Sequence, residues 1–159
     1  MPQKRSDMQG GVQVASVVYV RGVFYYETDR MDCVHHSNYI RWFEEARVHF
    51  MQEMGFPYEG LEAAGIVSPV LSVEARYQSM CRFGDTVEVL VRLESYTRTR
   101  IAFGYQVRDR ATGQPRCQGR TTHCFINRAG RPVSLAKAMP SYHQLAEAAV
   151  DKEGLEWQT

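Results

Sequence analysis

The chain is 159 residues long, with 44% apolar and 23% charged side chains and a formal net charge of +1. That length suits one domain with one core, the balance is ordinary for a globular protein, and the near-neutral charge implies no general attraction to nucleic acid. No apolar run is long enough to span a bilayer, and residues 1–11 lack the apolar stretch of an export signal.

Residues 1–13 are polar and end in Gly10-Gly11, so a disordered N-terminal segment is expected. Residues 14–26 are rich in Val, Tyr and Phe and read as a strand, with Gly22 marking a bulge. Residues 27–35 form a polar loop, and Asp29, Asp32, His35 and His36 crowd its end. A long helix is predicted over 36–54, with Ser37 or Asn38 as its cap. Its apolar face is Tyr39, Phe43, Ala46, Phe50 and Met54, spaced by three and four. Gly55 and Pro57 stop it. A short second helix fits residues 57–65.

Four strands with period-two alternation follow, at 66–78, 86–96, 100–109 and 116–127. Phe83-Gly84-Asp85 and Ala111–Pro115 read as turns, and links this short imply antiparallel neighbours. Residues 140–150 fit a surface helix, with a loose tail from Asp151. One apolar-faced helix needs one sheet to cover it. The expected fold is therefore α+β, a curved five-stranded antiparallel sheet wrapped round one long central helix. The expected division is 1–13 disordered, 14–135 the domain, and 136–159 a C-terminal helix and tail.

The scattered Cys33, Cys81, Cys117 and Cys124 contain no Cys-x-x-Cys pair, so free thiols and a cytoplasmic protein are expected. Charge is uneven. Residues 1–75 carry 6 basic and 10 acidic side chains, whereas residues 76–120 carry 9 basic, all arginine, and 4 acidic. Arginine's planar fork suits phosphate, although a coat on exposed strand faces explains the same composition.

The element order and the junction residues resemble the hotdog-fold thioesterases, most closely the 4-hydroxybenzoyl-CoA thioesterase and YbgC-like group. The residues carrying the resemblance are Asp29, His36, Asn38-Tyr39, Trp42-Phe43 and Phe83-Gly84-Asp85, within about residues 18–135. Two positions depart from the group's pattern: Glu27 replaces its first Asp, and Asp32 replaces a Gly. A Gly there would permit positive φ, which aspartate tolerates better than most residues.

Thioester hydrolysis needs a nucleophile or base and a means of holding the developing oxyanion. A carboxylate serves the first need and helix N-terminal amides the second. The resemblance implies that Asp29 is the catalytic carboxylate, attacking directly or activating water. It implies that the amide near His36 polarises the carbonyl while the His36 side chain orients substrate or water. Asn38 reads as a cap, as a holder of the loop or as a substrate-binding residue. Without the family pattern, Asp29 reads first as a loop aspartate capping a turn or the helix.

Two rival readings exist at this spot. The four ionisable residues are all metal-ligand types, but adjacent histidines point apart, and no metal or cofactor is expected. Cys33 near His36 lacks an orienting partner for a thiol nucleophile. The implied substrate is a small or medium acyl-CoA, or a carrier protein's acyl group, with Arg82, Arg98 and Arg100 as phosphate contacts by resemblance and register. The resemblance also implies a homo-oligomer, dimer or tetramer, built on an exposed sheet edge. A non-catalytic module that binds acyl-CoA or acyl carrier protein is the alternative.

Overall fold

The computed structural model describes residues 16–154, so the expected disordered segment 1–13 lies outside the described residues. The elements in order are β1 (Val17–Gly22), a 3-10 turn (Tyr25–Glu27), α1 (Ser37–Glu53), α2 (Tyr58–Ala63), β2 (Ile66–Val67), β3 (Val70–Tyr77), β4 (Thr86–Tyr96), β5 (Arg100–Asp109), β6 (Pro115–Cys124), β7 (Ile126–Asn127), α3 (Leu135–Ala138) and α4 (Pro140–Ala149). Five strands form one sheet in the order β1-β4-β5-β6-β3, and β2 pairs with β7 separately. Every pairing between strands is antiparallel.

Alternation explains which face turns inward. Val87, Val89, Val91 and Leu93 of β4 and Ile101, Phe103, Tyr105 and Val107 of β5 are buried beneath α1. The helix presents Tyr39, Trp42, Phe43, Ala46 and Phe50 to them. Phe43 stacks on Tyr105 at 4.5 Å, and Phe50 meets Phe103 edge-on at 5.8 Å. Gly119 lets the helix come this close: a Cβ there would stand 2.3 Å from the Phe43 ring and 2.9 Å from the Glu74 carbonyl.

Several predicted elements differ in detail, among them the strand expected over 116–127, which breaks at Phe125 into β6 and β7. The strand expected over 66–78 is split in two at Ser68-Pro69, since proline has no amide to give a ladder. The strand expected over 14–26 ends at Gly22, and the next residues coil into the 3-10 turn because the Glu27 carboxylate folds back onto the Phe24 amide. The helix α3 was not anticipated. The C-terminal helix α4 lies against the core, with Ala146 and Ala149 buried and the Tyr142 hydroxyl donating to the Pro57 carbonyl at 2.9 Å.

β1 and β3 are the sheet edges. Along β3, Val70, Leu71, Val73 and Tyr77 are 39–50% exposed, so the edge combines an unpaired backbone with apolar side chains.

Candidate active site

The site is built on Glu27. This buried carboxylate takes both forks of Arg21, at 2.8 Å each, the Trp42 indole N–H at 2.7 Å and the Phe24 amide at 2.9 Å. Its backbone carbonyl accepts the His35 amide at 2.8 Å and the Asn38 side-chain amide at 2.9 Å. One residue thus ties β1, the loop and the first turn of α1 together. Beyond it the chain makes a tight reversal: Thr28 bridges Val34, the Asp29 amide donates to the Cys33 carbonyl, and Asp32 lies at φ +59°.

Positive φ at Asp32 is the conformation that the Gly of the family pattern favours. Asp32→Ala is expected to lower stability by about 1 kcal/mol, and Asp32→Gly to leave it within about 0.5 kcal/mol. Urea denaturation of both variants checks this.

Asp29 is half-buried. Its Oδ1 accepts the Met31 amide at 2.8 Å and stands 4.0 Å from the Cys33 thiol. The turn-capping role is therefore real for that oxygen, while Oδ2 has no hydrogen-bond partner among the described residues.

At the start of α1, the expected capping by Ser37 or Asn38 is replaced by a different arrangement. The helix N-cap is His36, with no side-chain cap. Instead the His35 Nδ1 accepts the Ser37 amide at 3.2 Å, the His35 carbonyl accepts the Asn38 amide at 3.0 Å, and Asn38 is drawn away to Glu27 and Arg41. The His36 amide is left with no acceptor among the described residues. Its carbonyl accepts the Tyr77 hydroxyl at 2.9 Å, and its exposed ring stands 6.2 Å from the Tyr77 ring.

A depression of about 510 Å³ opens beside the loop, lined by Asp29, His35, Ser37, Asn38, Arg41 and Glu45 among others. It lies on the β1 flank of α1, where Glu45 accepts the Tyr19 hydroxyl. The His36 ring packs against the His35 ring at 4.1 Å, contrary to the expectation that the two point apart, and meets the Tyr77 ring of β3 at 6.2 Å. Asp29 and the His36 amide thus belong to one short loop between the two flanks.

The three arginines expected at the phosphates are not gathered in one chain. Arg82 sits beside the loop, bonded to the Asp32 carbonyl at 2.9 Å. Arg98 and Arg100 lie at the far end of β4, which is 11 residues long, or roughly 33 Å away at ~3.3 Å per residue. Among the described residues no three His, Cys, Asp or Glu side chains group as metal ligands, and all four cysteines are unpaired. No helix among the described residues is long and apolar enough to cross a membrane.

A second polar cluster lies deeper beneath α1. His123, only 1% exposed, has its Nε2 2.8 Å from the Thr121 hydroxyl and 3.4 Å from Arg47 Nη1. The Thr121 hydroxyl in turn meets the Tyr105 hydroxyl at 2.7 Å. Burial first, and the Arg47 charge second, push the His123 imidazole from 6.5 down to about 4. A depressed folded value means that the unfolded chain binds the proton more readily. Stability from the neutral ring is complete above pH ~6.5 and is lost as pH falls through about 4, by about 3 kcal/mol in all. Urea midpoints at pH 7 and pH 4.5 should show this loss, and His123→Gln should flatten it.

Sequence reasoning missed Glu27 as a hub, along with Tyr77, Arg41 and the Arg47–His123 cluster. A lone Arg21 inside an apolar strand, six residues before Glu27, was the available signal for the first.

A five-stranded antiparallel sheet on one central helix, with a carboxylate and an unsatisfied amide where that helix begins, is the architecture of a hotdog thioester hydrolase. The chain belongs to the Thioesterase-like superfamily, which it matches over residues 23–152. It is 31% identical over 128 residues to a candidate acyl-CoA thioesterase of Bacillus subtilis, YneP, covering 80% of this chain and 92% of that one. It is 37% identical over 122 residues to a candidate esterase of Aquifex aeolicus, covering 76% of this chain and 91% of that one. Among solved structures it is similar to the DHNA-CoA thioesterase from Staphylococcus aureus, at 28% identity and TM-score 0.80, covering 83% of this chain and 89% of that one.

Proposed function

We propose that this enzyme hydrolyses a small or medium acyl-CoA, with Asp29 as the reacting carboxylate and the His36 amide as the oxyanion donor. The observation that carries this reading is the pair of unsatisfied groups on one loop, Asp29 Oδ2 and the His36 N–H. Asp29, directly or by deprotonating water, adds oxygen to the thioester carbon. The carbonyl oxygen gathers charge against the His36 amide, the C–S bond breaks, and coenzyme A leaves as the thiol after taking up a proton. If Asp29 attacks itself, water then cleaves the acyl-aspartyl anhydride. The relatives' names, acyl-CoA thioesterase and DHNA-CoA thioesterase, support a coenzyme A ester as substrate.

The exposed β3 edge supports a homodimer through edge-to-edge pairing, since an unpaired apolar edge is a liability in a monomer. Arg82 beside the loop is the phosphate contact that one chain offers. Arg98 and Arg100 would serve only a site shared between subunits. A non-catalytic acyl-CoA or carrier-protein module remains the second reading, and Asp29 separates the two, because a binder has no need of a carboxylate there.

The test is thiol release from a panel of aliphatic and aromatic acyl-CoAs. Release from at least one is expected. Tight binding of the panel with no release from any member would favour the binding module.

A further inference from the structure

Among the described residues five arginines are buried or half-buried: Arg21, Arg47, Arg92, Arg108 and Arg116. Four of them stand within 4.0 Å of a carboxylate, Glu27, Asp151, Glu88 and Asp109 respectively. Arg47 has none: its neighbours, the His123 ring and the Tyr105 hydroxyl, are neutral. Arg47 Nη1 stands 3.4 Å from His123 Nε2 and the guanidinium also bonds the Tyr105 hydroxyl, so its contacts are polar but bring no negative charge. A partly desolvated guanidinium without a counter-charge is costly and is kept where an anion arrives.

The position of Arg47 says what that anion is attached to. His36, Ile40, Phe43 and Arg47 recur at helical spacing on one face of α1. Arg47 is eleven residues beyond His36, about 16 Å along the axis at ~1.5 Å per residue. The facing strand β3 runs the opposite way. Its Tyr77 bonds the His36 carbonyl at one end, and its Val70 is paired with His123 at the other. Between these ends lie Ile40, 40% exposed, and Val73, 39% exposed. The α1–β3 seam therefore starts at the unsatisfied amide, crosses apolar side chains and ends at a cation with no carboxylate beside it.

We infer that Arg47 binds the far end of the acyl group, so that the enzyme prefers acyl-CoAs whose acyl chain ends in a carboxylate. This rests on the thioesterase reading for the position of the carbonyl at His36. Methylenes or a ring lie over Ile40 and Val73, and the terminal carboxylate meets the guanidinium fork in the paired geometry that arginine offers.

The test is calorimetry with non-hydrolysable thioether analogues, comparing succinyl-, adipyl- and suberyl-CoA with butyryl-, hexanoyl- and octanoyl-CoA. The proteins are the wild type, Arg47→Met and Arg47→Lys. The wild type is expected to bind the longer carboxylate-ended analogues about ten- to a hundred-fold more tightly than their alkyl partners. Arg47→Met should bring that ratio close to one, and Arg47→Lys should restore part of it. A wild-type ratio near one, or a ratio unchanged in Arg47→Met, would overturn the assignment. So would an Arg47→Met that keeps the ratio and only dissociates the oligomer in light scattering, because the counter-charge would then belong to a second copy. Binding needs no turnover, so a preference seen without thiol release would retain Arg47 and refute the hydrolysis.

Discussion

Asp29→Asn is expected to lower kcat for thiol release by about 10²–10⁴-fold, the usual worth of a positioned acid or base, while KM stays near the wild-type value. Asparagine is isosteric, and its carbonyl oxygen can still accept the Met31 amide that closes the turn. The hairpin between Thr28 and Val34 keeps its backbone bonds. What disappears is the negative oxygen with no structural partner. The loss therefore falls on the chemical step, and a binding site dominated by other groups leaves affinity in place. Steady-state thiol release beside thermal unfolding makes the check. A rate unchanged in a normally folded variant would make Asp29 the turn aspartate that the residues favour without the family pattern.

Glu27→Gln is expected to be the most destabilising conservative change near the site, by about 3 kcal/mol. The Glu27 and Arg21 side chains are only 4% and 6% exposed, so neutralising one strands the other's charge away from water. Glu45 stands 3.5 Å from Arg21 and moderates the loss. The glutamine oxygen can keep one of the bonds from Trp42 and Phe24 but cannot match both forks of Arg21. For a domain of this size about 3 kcal/mol corresponds to a fall in Tm of roughly 10 °C. Replacing both partners with apolar residues, Arg21→Met with Glu27→Leu, should recover part of it, because no buried charge is then left alone while the Trp42 indole N–H and the Phe24 amide lose their acceptor. A single-variant Tm within about 2 °C of wild type would contradict the hub.

The fold was legible because its determinants are periodic. Val87 to Leu93 and Ile101 to Val107 alternate, the α1 face recurs at three and four, and Gly55 with Pro57 marks an end, so strands, helix and antiparallel order follow from local rules. The site was legible in one place, the loop that crowds Asp29, Asp32, His35 and His36 ahead of a helix. Glu27 was hidden because its importance is long-range. Its partners Arg21 and Trp42 sit six residues before it and fifteen after it, and only folding shows that all three meet in the core. Ser37 and Asn38 looked like caps because their types favour that role, yet the His35 ring takes the Ser37 amide first and Glu27 claims Asn38. That Arg47 meets only neutral groups is a property of its surroundings, and no local pattern records which charge a side chain fails to meet. The phosphate arginines rest on resemblance and register, which do not carry the length of β4 that separates Arg82 from Arg98 and Arg100.

The account stands most directly on where the thioester lies. A crystal structure of Asp29→Asn with an intact acyl-CoA is expected to show the carbonyl oxygen about 2.7–3.1 Å from the His36 amide nitrogen, with the substituted side chain facing the carbonyl carbon. A thioester bound away from that amide, with residue 29 out of reach of its carbon, would contradict the mechanism.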